Sequence, residues 1–234
     1  MLRVIRLAPL SFIAIALALF GFAATAGAQN ACTPAATPSP AADASTPAAQ
    51  PAGARVQVGD GEALLWGAGE HAVLLVHGAI YDAESWRPQA EAITSEGYLV
   101  LSLEQTGSQD VLDGITFLID ACDASGVVVA GASAGASGAL SALASQPEGV
   151  SGLVVLAATG DVADLGDYPK LFAASEEEGL AQTLEEMAAS APGDDNKVLI
   201  LPGSAHAQAV FTTDQGPVLL EAMLEFIERS STAA

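Results

Sequence analysis

Apolar residues in this chain come in short unbroken runs, separated by stretches with a different rhythm. Residues 72–76 (AVLLV), 98–103 (YLVLSL), 127–130 (VVVA), 153–156 (LVVL) and 198–201 (VLIL) hold almost no polar side chain. Runs of this length, rich in β-branched residues, predict strands covered on both faces. Residues 170–174 form a further candidate strand. Between the runs the spacing turns helical. In 111–122, Val111, Leu112, Ile115, Leu118 and Ile119 fall on one helix face. Helices are also predicted over 86–96, 134–145, 179–189 and 217–229, with Pro147 and Gly149 ending the alanine-rich third one. An earlier pair, 55–58 and 63–66, is split by a Gly-Asp-Gly sequence and predicts a hairpin at a sheet edge. The predicted fold class is therefore α/β: a mostly parallel sheet with helices on both faces, in a single domain. Ligands of such sheets sit at the carboxyl ends of the strands, so the loops leaving the strands are the places to look for chemistry.

The domain does not begin at the first residue. Arg3 and Arg6 precede an apolar run of 16 residues, 7–22, followed by Ala26-Gly27-Ala28. A basic start, an apolar middle and a small-residue end describe a secretory signal peptide over 1–28, leaving Gln29 as the first mature residue. Two alternatives stay open: an uncleaved anchor, for which the run is slightly short, and a lipoprotein held through Cys32. Residues 29–54 are almost entirely Ala, Pro, Thr and Ser, a composition that cannot bury a core and predicts an extended disordered linker. The folded domain is expected over 55–234, and the protein is expected to be secreted or displayed at the cell surface, with no stable membrane span after cleavage.

Charge narrows the partners. There are 28 acidic residues against 7 basic ones, a balance that repels nucleic acid and anionic membrane surfaces and excludes them as expected partners. There are 2 cysteines, Cys32 and Cys122. A disulfide between them is allowed in an exported protein, where it would tie the linker to the domain. No Cys/His cluster has metal-ligand spacing and no dinucleotide fingerprint is present, so no cofactor or metal is expected.

One stretch raises a chemical question. Residues 127–138 read VVVAGASAGASG, placing Ser133 in a G-x-S-x-G pattern where a strand stops and a helix begins. A turn that tight needs small neighbours and would hold the serine hydroxyl out of the chain, beside the N–H groups of the helix start. A nucleophilic serine needs a base. Of the 3 histidines, His206 follows a strand downstream of Ser133 and is the natural choice. His71 precedes a strand and is expected at the surface. The base needs an orienting carboxylate. Glu178, last of three glutamates after the 170–174 strand, is the first candidate; Glu177 and Asp161 remain alternatives. His77 also follows a strand, and a chain leaving through His77-Gly78 can aim the N–H of Ala79 at the site, where it would join that of Ala134 in an oxyanion hole.

On these residues, positions 72–229 resemble the α/β-hydrolase superfamily: His77-Gly78 with the following Ser85-Trp86, the elbow around Ser133, the acid at Glu178 and the histidine at His206, in the order Ser, acid, His. The resemblance implies a mostly parallel sheet, a Ser133–His206–Glu178 triad and an oxyanion hole at Ala79 and Ala134. Two positions depart from the common pattern. The acid is a glutamate where aspartate is usual, and Glu104 stands where aspartate is frequent. The stretch between Ala158 and Pro169 has no room for a helical lid. Tyr81, Trp86 and Tyr168 are candidates to line the cleft. The expected activity is hydrolysis of small or soluble carboxylic esters through an acyl-enzyme. Amide hydrolysis, perhydrolysis and carbon–carbon bond hydrolysis use the same parts, and a non-catalytic binding module or an exported scaffold would keep the fold without the chemistry.

Overall fold

A computed structural model describes Cys32 and residues 53–232. The predicted signal peptide and nearly all of the predicted linker lie outside these residues. Eight strands form one sheet: β1 (Ala54–Val58), β2 (Gly61–Trp66), β3 (His71–Val76), β4 (Leu99–Leu103), β5 (Gly126–Ala132), β6 (Val150–Leu156), β7 (Lys170–Ser175) and β8 (Asn196–Leu201), in the order β1-β2-β4-β3-β5-β6-β7-β8. The predicted hairpin is β1–β2, and β2 runs antiparallel to β4. From β4 to β8 every pairing is parallel. All seven residues of β5 are buried, as are all five of β4, which explains why these strands read as unbroken apolar runs.

Five α-helices cover the sheet: α1 (Arg87–Ser95), α2 (Ser108–Thr116), α3 (Ala134–Leu143), α4 (Ala181–Ser190) and α5 (Gly216–Thr232). α2 and α3 pack on each other and on β3, while the end of α1 and α5 flank a shared groove. Among the described residues no helix is long and apolar enough to cross a membrane.

Three local departures from the expected elements have physical causes. The predicted helix over 86–96 begins as a 3-10 turn, Ala83–Trp86, capped by the Asp82 side chain, and becomes α-helical at Arg87 with Pro88 in its first turn. The predicted helix over 111–122 starts earlier, at Ser108, where the Asp110 carboxylate accepts from the Gly107 N–H at 3.1 Å. That same helix widens to a π-helical turn over Phe117–Ala121. Cys122 follows and is bonded to Cys32, joining residues 90 apart in sequence. The bond lies beside Gly69, Leu99 and Asp123, the amino-terminal end of the parallel strands. His71, expected at the surface, is half-buried as the first residue of β3, and its Nδ1 is buried without a hydrogen-bond partner.

β7 opens on a fully buried lysine. Lys170 Nζ donates to the carbonyl oxygens of Gly166, Tyr168 and Pro192, each at 2.7 Å. Burial pushes its pKa down to about 8, against the opposing pull of Asp167. Tyr168 stacks under the ammonium at 4.7 Å, and burial pushes its phenol up to about 12. Tyr168 thus packs at the amino-terminal end of β7 and does not line the cleft. Trp86 does not line it either: it is fully buried and meets Phe211 edge-on at 5.7 Å between ring centres.

Candidate active site

β5 passes into α3 through Ser133, whose φ of 50° and ψ of −111° lie where residues with a side chain are rarely found. The turn can exist only because Gly131 and Gly135, two residues to either side, lack side chains. A Cβ on Gly131 would stand 2.5 Å from Ala136 Cα, and one on Gly135 would stand 2.3 Å from the Val76 carbonyl oxygen. Both contacts are with backbone, which cannot move aside. The turn is also tied to the strands on either side: the Ser133 N–H donates to Leu156 O at 2.8 Å and the Gly135 N–H to His77 O at 3.1 Å. The serine is thereby fixed at the carboxyl edge of the sheet, at the first turn of α3.

His206 leaves β8 and precedes a 3-10 turn, Ala207–Thr212. Its Nε2 lies 2.8 Å from Ser133 Oγ and its Nδ1 lies 2.5 Å from Glu178 Oε1. Glu178 ends a 3-10 turn, Glu176–Glu178, that folds the chain back at the end of β7, and its second oxygen accepts from the Ser175 N–H at 2.9 Å. The histidine loop is fastened to the same strand by Ser175 Oγ, which donates to Ala205 O at 2.6 Å. Glu178 is only 10% exposed, whereas the His206 side chain is 57% exposed, so the carboxylate is sheltered and the imidazole faces the opening. With a carboxylate at Nδ1, the ring carries its proton there and offers Nε2 as acceptor to the serine hydroxyl.

Among the three candidate acids, the one that meets the histidine is Glu178. Glu177 is exposed, with its N–H spent on Gly203 O, and the Asp161 carboxylate accepts from the Ala163 N–H. His77 is buried and takes no part in this chain; its Nδ1 lies 2.8 Å from Gly78 O and its Nε2 3.1 Å from Glu104 O. The loop it starts runs beside Ser133, since a Cβ on Gly78 would lie 3.8 Å from Ser133 Cβ. Neither the Ala79 nor the Ala134 N–H has a hydrogen-bond partner among the described residues.

Sequence reasoning assigned no bracing role to the groups that hold this loop. Glu104 Oε2 accepts from the Ala83 N–H at 3.3 Å, and Ser102 Oγ donates to Ala83 O at 3.0 Å. Gln208, buried two residues beyond His206, accepts from the Gly78 N–H at 3.3 Å and donates to Ser85 Oγ at 2.7 Å. A lone amide in the alanine-rich run AHAQAVF was the signal available for Gln208.

Ser133, Ser137, Ala157, Thr159, Leu180 and His206 line an open cleft of about 450 Å³. A groove of about 500 Å³ lies elsewhere, between the end of α1 and α5, with Tyr98 and Leu224 on its floor and Glu96, Glu221, Glu225 and Glu228 around it. Volume does not choose between the two; the convergence of Ser133, His206 and Glu178 does. Among the described residues no three His, Cys, Asp or Glu side chains are placed to hold a metal ion.

No protein-family model matches the chain, and no curated protein matches its sequence. Solved structures do match. A dienelactone hydrolase from Anabaena variabilis superposes with a TM-score of 0.64 at 18% identity, covering 76% of this chain and 96% of its own. An esterase from Exiguobacterium antarcticum gives 0.61 at 12% identity, covering 75% and 99%. A proline iminopeptidase from Mycobacterium smegmatis gives 0.61 at 13% identity, covering 77% and 99%. The strand order, the β2 strand antiparallel to both of its neighbours, the strained serine between β5 and α3 and these superpositions agree: the chain has the α/β-hydrolase fold.

Proposed function

We propose that the protein is an exported serine hydrolase that cleaves small or soluble carboxylic esters. The observation that supports this most directly is the unbroken relay from Ser133 Oγ through both nitrogens of His206 to Glu178. His206 Nε2 takes the Ser133 proton as Oγ attacks the acyl carbon. The carbonyl oxygen becomes an oxyanion, and the unengaged N–H groups of Ala79 and Ala134 receive it. Glu178 holds the imidazole in register and stabilises its charged form. The same Nε2–H then protonates the alcohol oxygen, the ester C–O bond breaks and an acyl-Ser133 remains. Water, deprotonated by His206, attacks that acyl group; Ser133 Oγ recovers the proton and the carboxylic acid leaves.

Two further observations support the substrate class and the compartment. The stretch from Thr159 to Pro169 forms no helix, so among the described residues the cleft stays open on that side. The Cys32–Cys122 bond suits an oxidising environment outside the cytosol.

The test is covalent. The domain is incubated with a fluorophosphonate and weighed intact, beside Ser133→Ala. One phosphonyl adduct on the wild type, absent from the variant, is the expected result. A folded wild type that gains no mass would remove the activated serine and leave a binding module on a hydrolase frame.

A further inference from the structure

Ser133, His206 and Glu178 account for the nucleophile and its base, but not for what holds the oxyanion donor still. The Ala79 N–H sits on an exposed loop with an exposed Ile80 beside it, and flexible loops make poor electrostatic templates. Two successive peptide planes set the direction of that N–H. In the Gly78–Ala79 plane, the Gly78 carbonyl accepts from the Tyr81 N–H at 3.0 Å. A trans peptide points its N–H opposite its C=O, so fixing this carbonyl fixes the Ala79 N–H. In the preceding His77–Gly78 plane, the His77 carbonyl accepts from the Gly135 N–H at 3.1 Å. The other edge of that plane, the Gly78 N–H, is held by a side chain: Gln208 Oε1 at 3.3 Å, from 130 residues away.

From this we infer that Gln208 is a positioning residue for the oxyanion hole, coupling the loop that carries the base to the loop that carries the donor. The inference rests on the ester-hydrolase reading above. Gln208 is 4% exposed, and both ends of its amide are used. Its Nε2 donates to Ser85 Oγ at 2.7 Å, and Ser85 Oγ in turn donates to Asp82 O at 2.5 Å. The amide therefore grips the donor loop at its start, Gly78, and near its end, Ser85. Because Gln208 lies two residues from His206 in a 3-10 turn, base and donor share one support. A displacement of the histidine loop would be transmitted to the Gly78 N–H, and binding of an oxyanion at Ala79 would steady His206.

The test compares Gln208→Met with Gln208→Glu. Methionine keeps the volume and accepts nothing from Gly78; glutamate keeps an oxygen for the Gly78 N–H, and its second oxygen accepts from the Ser85 hydroxyl once that hydroxyl turns away from Asp82 O. In Gln208→Met, kcat for a short-chain p-nitrophenyl ester is expected to fall roughly 10- to 100-fold with KM nearly unchanged, since an oxyanion donor acts in the transition state. The pH at which the rate inflects should stay in place, and amide exchange at Gly78 should speed up about tenfold or more. Gln208→Glu should restore most of both. A folded Gln208→Met with wild-type kcat overturns the inference. So does a shifted inflection with unchanged amide exchange, which would place the effect on His206. Amide exchange is read whether or not the wild type turns over. An inactive wild type would sink the ester reading, and faster or unchanged exchange at Gly78 would still decide Gln208.

Discussion

The Glu178 carboxylate is divided between two tasks: one oxygen meets His206 Nδ1 at 2.5 Å, while the other accepts the Ser175 N–H at 2.9 Å. Both tasks need an acceptor, and a carboxylate has one for each. Glu178→Gln would have only one. If its oxygen stays with Ser175, its NH₂ faces Nδ1 and forces the ring proton onto Nε2, the nitrogen that receives the serine proton in the proposed mechanism. A fall in kcat of about 10³-fold is expected, with KM little changed, measured on a soluble ester. A loss of less than tenfold would mean that another acid serves His206.

The strained turn gives a stability prediction that does not depend on activity. Gly135→Ala puts a methyl 2.3 Å from Val76 O, so β3 or α3 must shift. The expected cost is about 3 kcal/mol, read from urea unfolding. Ser133→Ala, which adds nothing at the crowded position, should leave stability close to that of the wild type.

The open cleft predicts how rate depends on substrate form. With the His206 side chain 57% exposed and no helix between Thr159 and Pro169, nothing among the described residues has to move aside before substrate enters. Hydrolysis of a short-chain ester should therefore follow simple saturation, without a jump where the ester passes its solubility limit. A sharp rise at that limit would point to a segment that opens on an oil–water surface.

Lys170 predicts an alkaline trend in stability. Its folded pKa, about 8, is below the ordinary lysine value of 10.5. Between those values the unfolded chain binds a proton that the folded one has released, so the Lys170 contribution to stability rises with pH across that window. Below about pH 8 both states carry the proton and the desolvation cost is present in full. At neutral pH, Lys170→Met leaves the carbonyls of Gly166, Tyr168 and Pro192 without their donor and should cost about 2 kcal/mol. The stability gap between wild type and Lys170→Met should widen from pH 8 to pH 10; a gap that stays constant would mean that Lys170 titrates at its ordinary value.

Much of this frame was legible from residues alone, for identifiable reasons. The strands from β3 to β6 are sandwiched between helices, so their apolar character is continuous and unmistakable. The serine turn declares itself because crowding at Gly131 and Gly135 excludes every side chain. The acid was harder to single out. Glu177, Glu178 and Asp161 all follow strands, and what separates them is the direction in which a three-residue turn folds back, which spacing does not encode. For Gln208 the lone amide was visible but its role was not, because its partners, Gly78 and Ser85, lie 130 and 123 residues away. Trp86 and Tyr168 misled for the opposite reason: an aromatic near a strand end can face inward or outward, and here each packs inward.

The disulfide also has a mechanical meaning. Cys32 is joined to Cys122 at the amino-terminal end of the parallel strands, while Ser133, Glu178 and His206 stand at the carboxyl end. Tension applied to the chain ahead of Cys32 enters the domain through that covalent link. It does not enter through β1, an edge strand held by one antiparallel partner that would peel open like a zipper. A pull through Cys32 thus acts at the end of the strands opposite to the cleft.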